Sequence, residues 1–436
     1  MNRQHCASRR SFLKGITAAG AAVLGPRVLP SSVFGADAQV APSNRITLGC
    51  IGIGGEGTRN LQVFLQQPDA RVVAVCEVDP ARRQHACDSV NRRYQSRDCA
   101  SHTDFREIIA RPDIDGVVIS TPDQWHVPMS LMAVRAGKDV ICEKPTRTIA
   151  EGRLLADAVA HYGRVFQTST EDRGLAVYHR MAELVRNGRV GKLQRIHVGL
   201  PSGPGGPGDP TPQPVPPGFD YDMWLGPAPW APYCPGRVHF NFRWIRDYSS
   251  GMLADWGAHL FDTAQWGNDT ERTGPVAVEG TGKRHEKGLY DTFYEFHLRY
   301  TYASGVEMIV DSGAVGLRFE GTDGWVGNKG WIGPLAASNP EILNSEIGPN
   351  EIRLYTCAAG EHRNFLDCVK SRREPYFPAE IGHRVSTLAH IGNIAMLLGR
   401  RLRWDPVAEQ FENDDVGSQR SRRPRSMGPR GGTVRE

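Results

Sequence analysis

Residues 52–57 read Gly-Ile-Gly-Gly-Glu-Gly, four glycines in six positions, directly after the apolar run Ile46–Ile51. Glycine loses more conformational freedom on folding than any other residue, so a cluster of it is retained where the backbone must turn tightly or approach something closely. The run before it has the composition of a buried strand, and Thr58–Gln66 reads as a helix entered straight from the glycines. Val72–Cys76 is a second, β-branched strand ending at Glu77, twenty residues after Gly57. A tight turn explains the glycines but not the spaced acid. Strand, Gly52-x-Gly54-x-x-Gly57 turn, helix and acid together fit a dinucleotide-binding βαβ unit. In such a unit the backbone approaches a pyrophosphate at a helix N-terminus, and the acid accepts hydrogen bonds from the adenosine ribose.

The alternation continues with a helix over 80–94, a strand over 116–120, a helix over 125–136 and a strand over 139–142. A helix over 149–162 and a strand over 164–168 close a parallel sheet with crossover helices. The character then changes. A helix over 174–187 leads to a strand over 193–200, and residues 201–235 carry twelve of the 30 prolines, a structured or lid-like excursion. A helix is expected over 252–266, placing Asp255 and His259 on one face. Strands over 276–282, 290–302 and 305–311 and helices over 361–371 and 381–399 give a second sheet with one helical face. The expected organisation is an α/β chain with a Rossmann domain at 39–168 and a second α/β domain at 169–411.

The net charge of +4 conceals an uneven distribution. Residues 1–38 hold five basic residues against Asp37, and 417–436 hold six arginines against Glu436, which leaves the body between them at −5. A mildly acidic body offers no nucleic-acid surface, and residues 412–436 read as a basic, disordered tail. The nine cysteines form no Cys-x-x-Cys pair and no zinc-like spacing, so neither a disulfide framework nor a metal site is expected. "SRRSFLKG" (8–15), the short apolar run Ile16–Gly25 and Ala36-x-Ala38 resemble a twin-arginine signal peptide over 1–38, with a plain secretory signal as the alternative. The expectation is export to the periplasm through the twin-arginine translocon, with cleavage by signal peptidase. No other run approaches the roughly 18 apolar residues of a membrane span.

"TPDQWHVPMSLMAVRAGKDVICEKP" (121–145), following the glycine fingerprint, resembles the Gfo/Idh/MocA oxidoreductase family, and "GGEGTRN", "AELVRNGRVGKL", "DWGAHLFDTAQW" and "HRNFLDCVKSR" resemble its exported bacterial branch. The likeness spans roughly residues 45–411. It implies an N-terminal Rossmann parallel sheet and a C-terminal α+β domain with an open, mainly antiparallel sheet. The face of that sheet would meet the nicotinamide and bind a sugar, cyclitol or related polyol. It further implies NAD, with NADP less favoured, held by Gly52, Ile53, Gly54, Gly57, Glu77, Thr121, Pro122, His126 and Glu143. The family pattern usually carries His where Gln124 stands here.

By the same resemblance Lys144 lies beside the reacting carbinol, where its ammonium stabilises alkoxide or a lowered pKa lets it relay the proton. His259 is then the acid/base, and Asp255 assists. From its position just past the sixth strand, near where substrate should enter, Arg173 is a candidate substrate contact beside Lys144 and His259. The bland readings are a solvated lysine cap, a helix-surface ion pair, a structural His126 and an exposed arginine. His362 reads as a helix-start residue. The implied activity is hydride transfer between nicotinamide and a polyol by a homo-oligomer with a retained cofactor. The alternatives are an NAD-dependent glycosidase working by transient oxidation and elimination, and a nucleotide-binding module without turnover.

Overall fold

The structure, a computed structural model, describes residues 40–422. The expected signal segment 1–38 lies outside the described residues, as does everything past 422. Residues 40–45, with a 3₁₀ turn at Pro42–Asn44, belong to a separate unit from the body that begins at Ile46.

The first half of the body alternates strand and helix. Its strands are β1 (Ile46–Ile51), β2 (Ala70–Cys76), β3 (Ala100–His102), β4 (Gly116–Ile119), β5 (Asp139–Glu143) and β6 (Phe166–Ser169). Between them run helices α1 (Gly55–Gln66), α2 (Pro80–Tyr94), α3 (Phe105–Ile109), α4 (Asp123–Arg135) and α5 (Ile149–Tyr162). All six strands pair in parallel in the order β3-β2-β1-β4-β5-β6, the doubly wound arrangement in which ligands bind beyond the strand C-termini where the order reverses. β1, β4 and β5 are almost continuously buried, as strands covered by helices on both faces must be.

After α6 (Ala176–Arg186) and β7 (Leu193–Leu200) the chain makes its proline-rich excursion, which contains α7 (Tyr221–Leu225) and a 3₁₀ helix at His239–Trp244. Two short helices follow, α8 (Met252–Asp255) and α9 (Gly257–Gly267). The single helix expected over 252–266 is thus interrupted at Trp256, so Asp255 ends one helix and His259 lies in the first turn of the next. Strands β8 (Ala277–Arg284), β9 (Phe293–Thr301), β10 (Glu307–Ser312), β11 (Gly316–Gly321), β12 (Trp325–Lys329) and β13 (Ala336–Ala337) come next. The chain ends in α10 (Pro340–Asn344), α11 (Gly360–Ser371), α12 (Ala379–Leu398), β14 (Leu402–Asp405), β15 (Gln410–Phe411) and α13 (Asp415–Arg422). The last helix corrects the expectation of a tail without structure from residue 412.

The second sheet has nine strands in the order β13-β12-β11-β7-β10-β9-β8-β14-β15, and only β7 and β10 pair in parallel. It is open and mainly antiparallel, and its alternating burial puts Phe296, Leu298, Tyr300, Met308 and Val310 into one core with Phe261 of α9 and Leu388 of α12. The excursion is not loose chain. Phe219, Tyr221, Trp224, Tyr233 and Tyr248 form their own buried aromatic cluster. It is fastened to the first lobe by Asp220 N–H to Val78 O (3.2 Å), Trp125 Nε1 to Met223 O (2.9 Å) and Ser249 Oγ to Asp123 Oδ2 (2.6 Å).

The two lobes are interleaved rather than sequential. Phe365, Leu366 and Cys368 of α11 complete the hydrophobic core of the parallel sheet, although they lie some 200 residues beyond its last strand. Arg363 grips Asp69 through two hydrogen bonds (2.7 and 2.9 Å), Lys370 joins it, and Arg372 does the same to Asp139 (2.6 and 3.0 Å).

Gly52 has a positive φ of 81°, and a Cβ there would stand 2.7 Å from Ser120 O. A Cβ on Gly57 would overlap the Gly52 carbonyl oxygen, so α1 can leave the turn this closely only with glycine at that position. At Gly55 a Cβ would meet nothing within 4 Å. Gly57→Ala is expected to destabilise the protein by about 1–3 kcal/mol, as overpacking does. Gly55→Ala should leave the fold essentially as stable as before. Chemical denaturation of the two variants side by side checks the contrast.

Candidate active site

A cleft of about 800 Å³ opens beyond the C-terminal ends of β1, β4 and β5. Two helices point their N-termini at it, and both lack the side-chain cap that helices elsewhere in the lobe possess. α2, α3 and α5 are capped by Asp79, Asp104 and Thr148, whose side chains accept first-turn N–H groups. α1 begins after Gly54 and α4 after Pro122, with no side-chain cap on either. Free N–H groups and the positive end of a helix dipole form an anion site. The open face of Gly55 and the uncapped α1 suit the pyrophosphate of a dinucleotide.

Glu77, at the end of β2, accepts the N–H of Ile53 (2.6 Å) and of Asp79 (3.0 Å), which ties the acid to the glycine turn. Burial raises its proton affinity, and the two N–H groups oppose the rise. Glu143 accepts from Asn60 Nδ2 (2.8 Å), which also reaches Ser120 Oγ (3.0 Å), and the Asn60 oxygen meets His362 Nε2 (2.9 Å). His362 sits in the first turn of α11, as its sequence position suggested, and braces this network from the other lobe. His126 lines the cleft, but both its ring nitrogens face carbonyl oxygens, Pro145 O and Thr121 O at 2.8 Å each. It fastens the Thr121-Pro122 turn to the one that follows Lys144. Gln124 turns away from the cleft and donates to Trp224 O (3.1 Å).

Two charged pairs stand at the far end of the same cleft. Lys144 Nζ donates to Asp255 Oδ1 (2.7 Å) and to Asp255 O (2.9 Å), and Arg243 Nε reaches the other carboxylate oxygen (3.0 Å). Burial alone would raise the Asp255 carboxyl, but Lys144 and Arg243 outweigh it and hold it far below the usual carboxylate range. Burial likewise works against the Lys144 charge, and Asp255 and Glu143 outweigh it. Lys144 is therefore held as an ammonium with its third N–H left over, and of its two expected modes the charge-stabilising one fits.

His259 does not use Asp255. Its Nδ1 meets Asp172 Oδ2 at 2.7 Å, and Asp172 Oδ1 accepts from Trp331 Nε1 at 3.1 Å. The expected assistance of His259 by Asp255 is corrected: Asp255 serves Lys144, and the carboxylate behind His259 comes from beyond β6. Burial disfavours the imidazolium, yet Asp172 outweighs this and holds the ring's proton affinity above the ordinary histidine value of about 6.5. Glu171 lies 3.8 Å from the same Nδ1 and 3.5 Å from Arg59, and burial raises its carboxyl. Glu171, Asp172 and His259 bring donor atoms within 4.8 Å of one another, and the 2.7 Å between His259 Nδ1 and Asp172 Oδ2 is a hydrogen-bond distance. Glu171, Asp172, Arg243 and Trp331 were not legible as site residues. The one available signal was a carboxylate just past a predicted parallel strand, on the side where such sheets bind ligands.

Comparison with known proteins gives a consistent result. A family described as an oxidoreductase family, NAD-binding Rossmann fold, matches residues 46–170, and its C-terminal alpha/beta domain matches residues 205–427. A glycosyl hydrolase family 109 protein of Stenotrophomonas maltophilia (strain K279a) is 29% identical over 239 residues, 51% of this chain and 48% of that protein. The chain spans no more than about half the length of the first curated relatives it matches. GenD2 from gentamicin A biosynthesis, solved in complex with NAD, superposes with a TM-score of 0.62 at 17% identity, covering 84% of this chain and 98% of that one. Aldose-aldose oxidoreductase from Caulobacter crescentus, complexed with glycerol, gives 0.61 at 19% identity, covering 82% and 99%. At these identities the likeness is one of fold.

Arg173, expected at the substrate, is instead buried at 3% exposure. It donates to both oxygens of Asp262 (2.8 and 2.6 Å), to Glu271 (2.6 Å) and to Tyr376 O (2.8 Å), and its guanidinium lies 4.8 Å from the Trp266 ring centroid. Burial pushes the Asp262 carboxyl up to about 6 even with the guanidinium beside it. Arg173→Met leaves that carboxylate buried without its partner and should cost about 3–5 kcal/mol of stability. Denaturant unfolding checks this; a raised KM at unchanged stability would return Arg173 to the substrate site.

Proposed function

Because this chain belongs to the Gfo/Idh/MocA oxidoreductase family, we propose that it transfers hydride between tightly held NAD and a CH–OH group of a sugar, cyclitol or related polyol. The observation that carries the reading is the pairing in one cleft of a pinned ammonium, Lys144, with a carboxylate-backed imidazole, His259, beside two uncapped helix N-termini. When bound there, NAD supplies the hydride acceptor. The chain's own groups do the rest. Lys144 directs its free N–H at the carbinol oxygen and favours the developing alkoxide, while His259 Nε2 takes the hydroxyl proton. Asp255 and Arg243 keep the lysine charged and in place. The aromatic walls of the cleft, Trp256 and Trp331 among them, suit the apolar faces of a sugar ring. Retention of the cofactor is supported by the excursion, whose Phe219, Trp224 and His239 wall the cleft alongside Val78 and Arg82 of the first lobe. The twin-arginine pattern at Arg9-Arg10 extends the proposal to a protein exported with that cofactor aboard.

A second reading, glycoside cleavage by transient oxidation and elimination, is favoured by the glycosyl hydrolase relative and by Glu171. Simple hydride transfer has no task for a second carboxyl of raised proton affinity beside the histidine. The two readings separate on the bound cofactor, since oxidation leaves it reduced and cleavage returns it to its starting state as product leaves.

His259→Ala should lower the rate of bound-NAD reduction by a sugar by about 10²–10⁴-fold with NAD content unchanged. In the unmodified protein, oxidation requires neutral His259, so its rate should rise with pH through a value above the ordinary histidine range. The reverse reduction should fall over the same window. Stopped-flow absorbance of the reduced nicotinamide across a pH series measures both.

Cofactor choice follows from Glu77. A carboxylate facing the adenosine ribose repels a 2′-phosphate, so NAD should bind well ahead of NADP even though Arg82 lines the same cleft. Glu77→Ala should narrow that gap, as read by calorimetric titration of protein stripped of nucleotide.

A further inference from the structure

Three elements converge on one buried carboxylate. Asp172 is fully buried on the 3₁₀ turn Asp172–Gly174 that follows β6. His259 comes to it from the first turn of α9, and Trp331 from the chain just past β12. The carboxylate receives one N–H on each oxygen, Nδ1 of His259 at 2.7 Å and Nε1 of Trp331 at 3.1 Å. The neighbouring guanidinium of Arg173 turns the other way, to Asp262 and Glu271, so it does not compete for Asp172. The Trp331 ring also meets the His259 ring edge-on at 5.8 Å and the Trp256 ring at 5.9 Å. The imidazole is therefore held in orientation as well as in protonation state.

We propose that Asp172 is the positioning residue of the reaction: it confines the His259 proton to Nδ1, so that Nε2 is presented bare to the substrate hydroxyl, with Trp331 locking the carboxylate in place. The inference rests on the hydride-transfer reading for its kinetic consequences, but its geometry stands without it. In the oxidative direction the O–H proton would go to Nε2 as the carbinol carbon loses hydride, for which bound NAD would supply the acceptor. His259 becomes an imidazolium next to an anionic Asp172, and substrate leaves as the carbonyl compound. The charged groups facing His259 are Asp172 and Glu171 from the β6 side and Lys144 from the end of β5, the last neutralised by Asp255. The imidazolium that forms thus sits between carboxylates, and the one ammonium near it is already paired.

Asp172→Asn replaces the carboxylate by a group of the same shape that donates to Nδ1 and accepts from Trp331. The ring proton is then driven to Nε2, the tautomer that cannot accept. The rate of bound-NAD reduction should fall about 10²–10⁴-fold, as for loss of a positioned base. The limb of the pH profile attributed to His259 should disappear, and KM for the sugar should change little. Asp172→Glu, which restores a carboxylate, should recover part of the rate and the limb. Nitrogen-15 NMR of the unmodified holoenzyme gives a readout independent of turnover. It should show His259 protonated on Nδ1 when neutral, titrating above the ordinary histidine range, with both features lost in Asp172→Asn. A wild-type rate and pH limb in Asp172→Asn, or an Nε2-protonated ring in the native holoenzyme, would overturn the inference. Sensitivity of the native rate to EDTA would do the same, by placing a metal ion where the shared proton is assigned. If no sugar reduces the bound NAD while the NMR signature is present, the hydride-transfer reading fails and the Asp172 assignment survives.

Discussion

Lys144 is a largely desolvated cation just past a parallel strand, and a desolvated cation is tolerated only where its charge is answered. Asp255 answers it twice, with a carboxylate oxygen and with its own main-chain carbonyl, and Arg243 engages the remaining carboxylate oxygen. The three residues come from the residue just past β5, the end of α8 and the 3₁₀ helix of the excursion. One electrostatic requirement therefore fixes the relative position of the first lobe, the second lobe and the segment that walls the cleft. Desolvation penalties for such charges amount to several kcal/mol per ion when unpaired, which makes any arrangement that separates them costly. Cleft geometry and lobe geometry are in this sense the same constraint.

A second constraint is what the chain withholds. Most helices of the first lobe start with a side chain that satisfies the free N–H groups, and the two aimed at the cleft do not. A buried helix end without a partner is unfavourable unless something else supplies the acceptor. Neither Gly54 nor Pro122 carries a side-chain oxygen that could occupy the first-turn N–H groups in place of a phosphate.

Much of this was legible in the sequence because its signals are local. The glycine turn, Glu77 twenty residues on and the strand–helix alternation all obey short-range spacing, and Lys144 and the Asp255–His259 stretch belong to compact motifs. The parts that were not legible depend on residues distant in sequence. Asp172 meets His259 across 87 positions, and no spacing rule connects them. Arg173 looked like a substrate contact because a lone arginine near a strand end carries no mark of the buried carboxylate, 89 positions away, that claims it. The interruption at Trp256 was hidden for a different reason. The apolar pattern of 252–266 is helical on both sides of it, and a one-residue break leaves that period nearly intact. It nevertheless separates the partners of Asp255 from those of His259.

The return of α11 to the parallel sheet bears on how this chain can move and be divided. A Rossmann lobe that supplied its whole core from contiguous sequence could swing as a rigid flap on a hinge after its last strand. Here Phe365 and Leu366 are built into that core, and Arg363 and Arg372 clasp its acids, so the polypeptide crosses between the lobes at two widely separated places. These separated crossings act as a double pin that opposes wide opening of the lobes. For the same reason a fragment ending at residue 170 would expose the apolar strip that α11 covers. The boundary visible in the sequence as a change of character is thus not a boundary of folding.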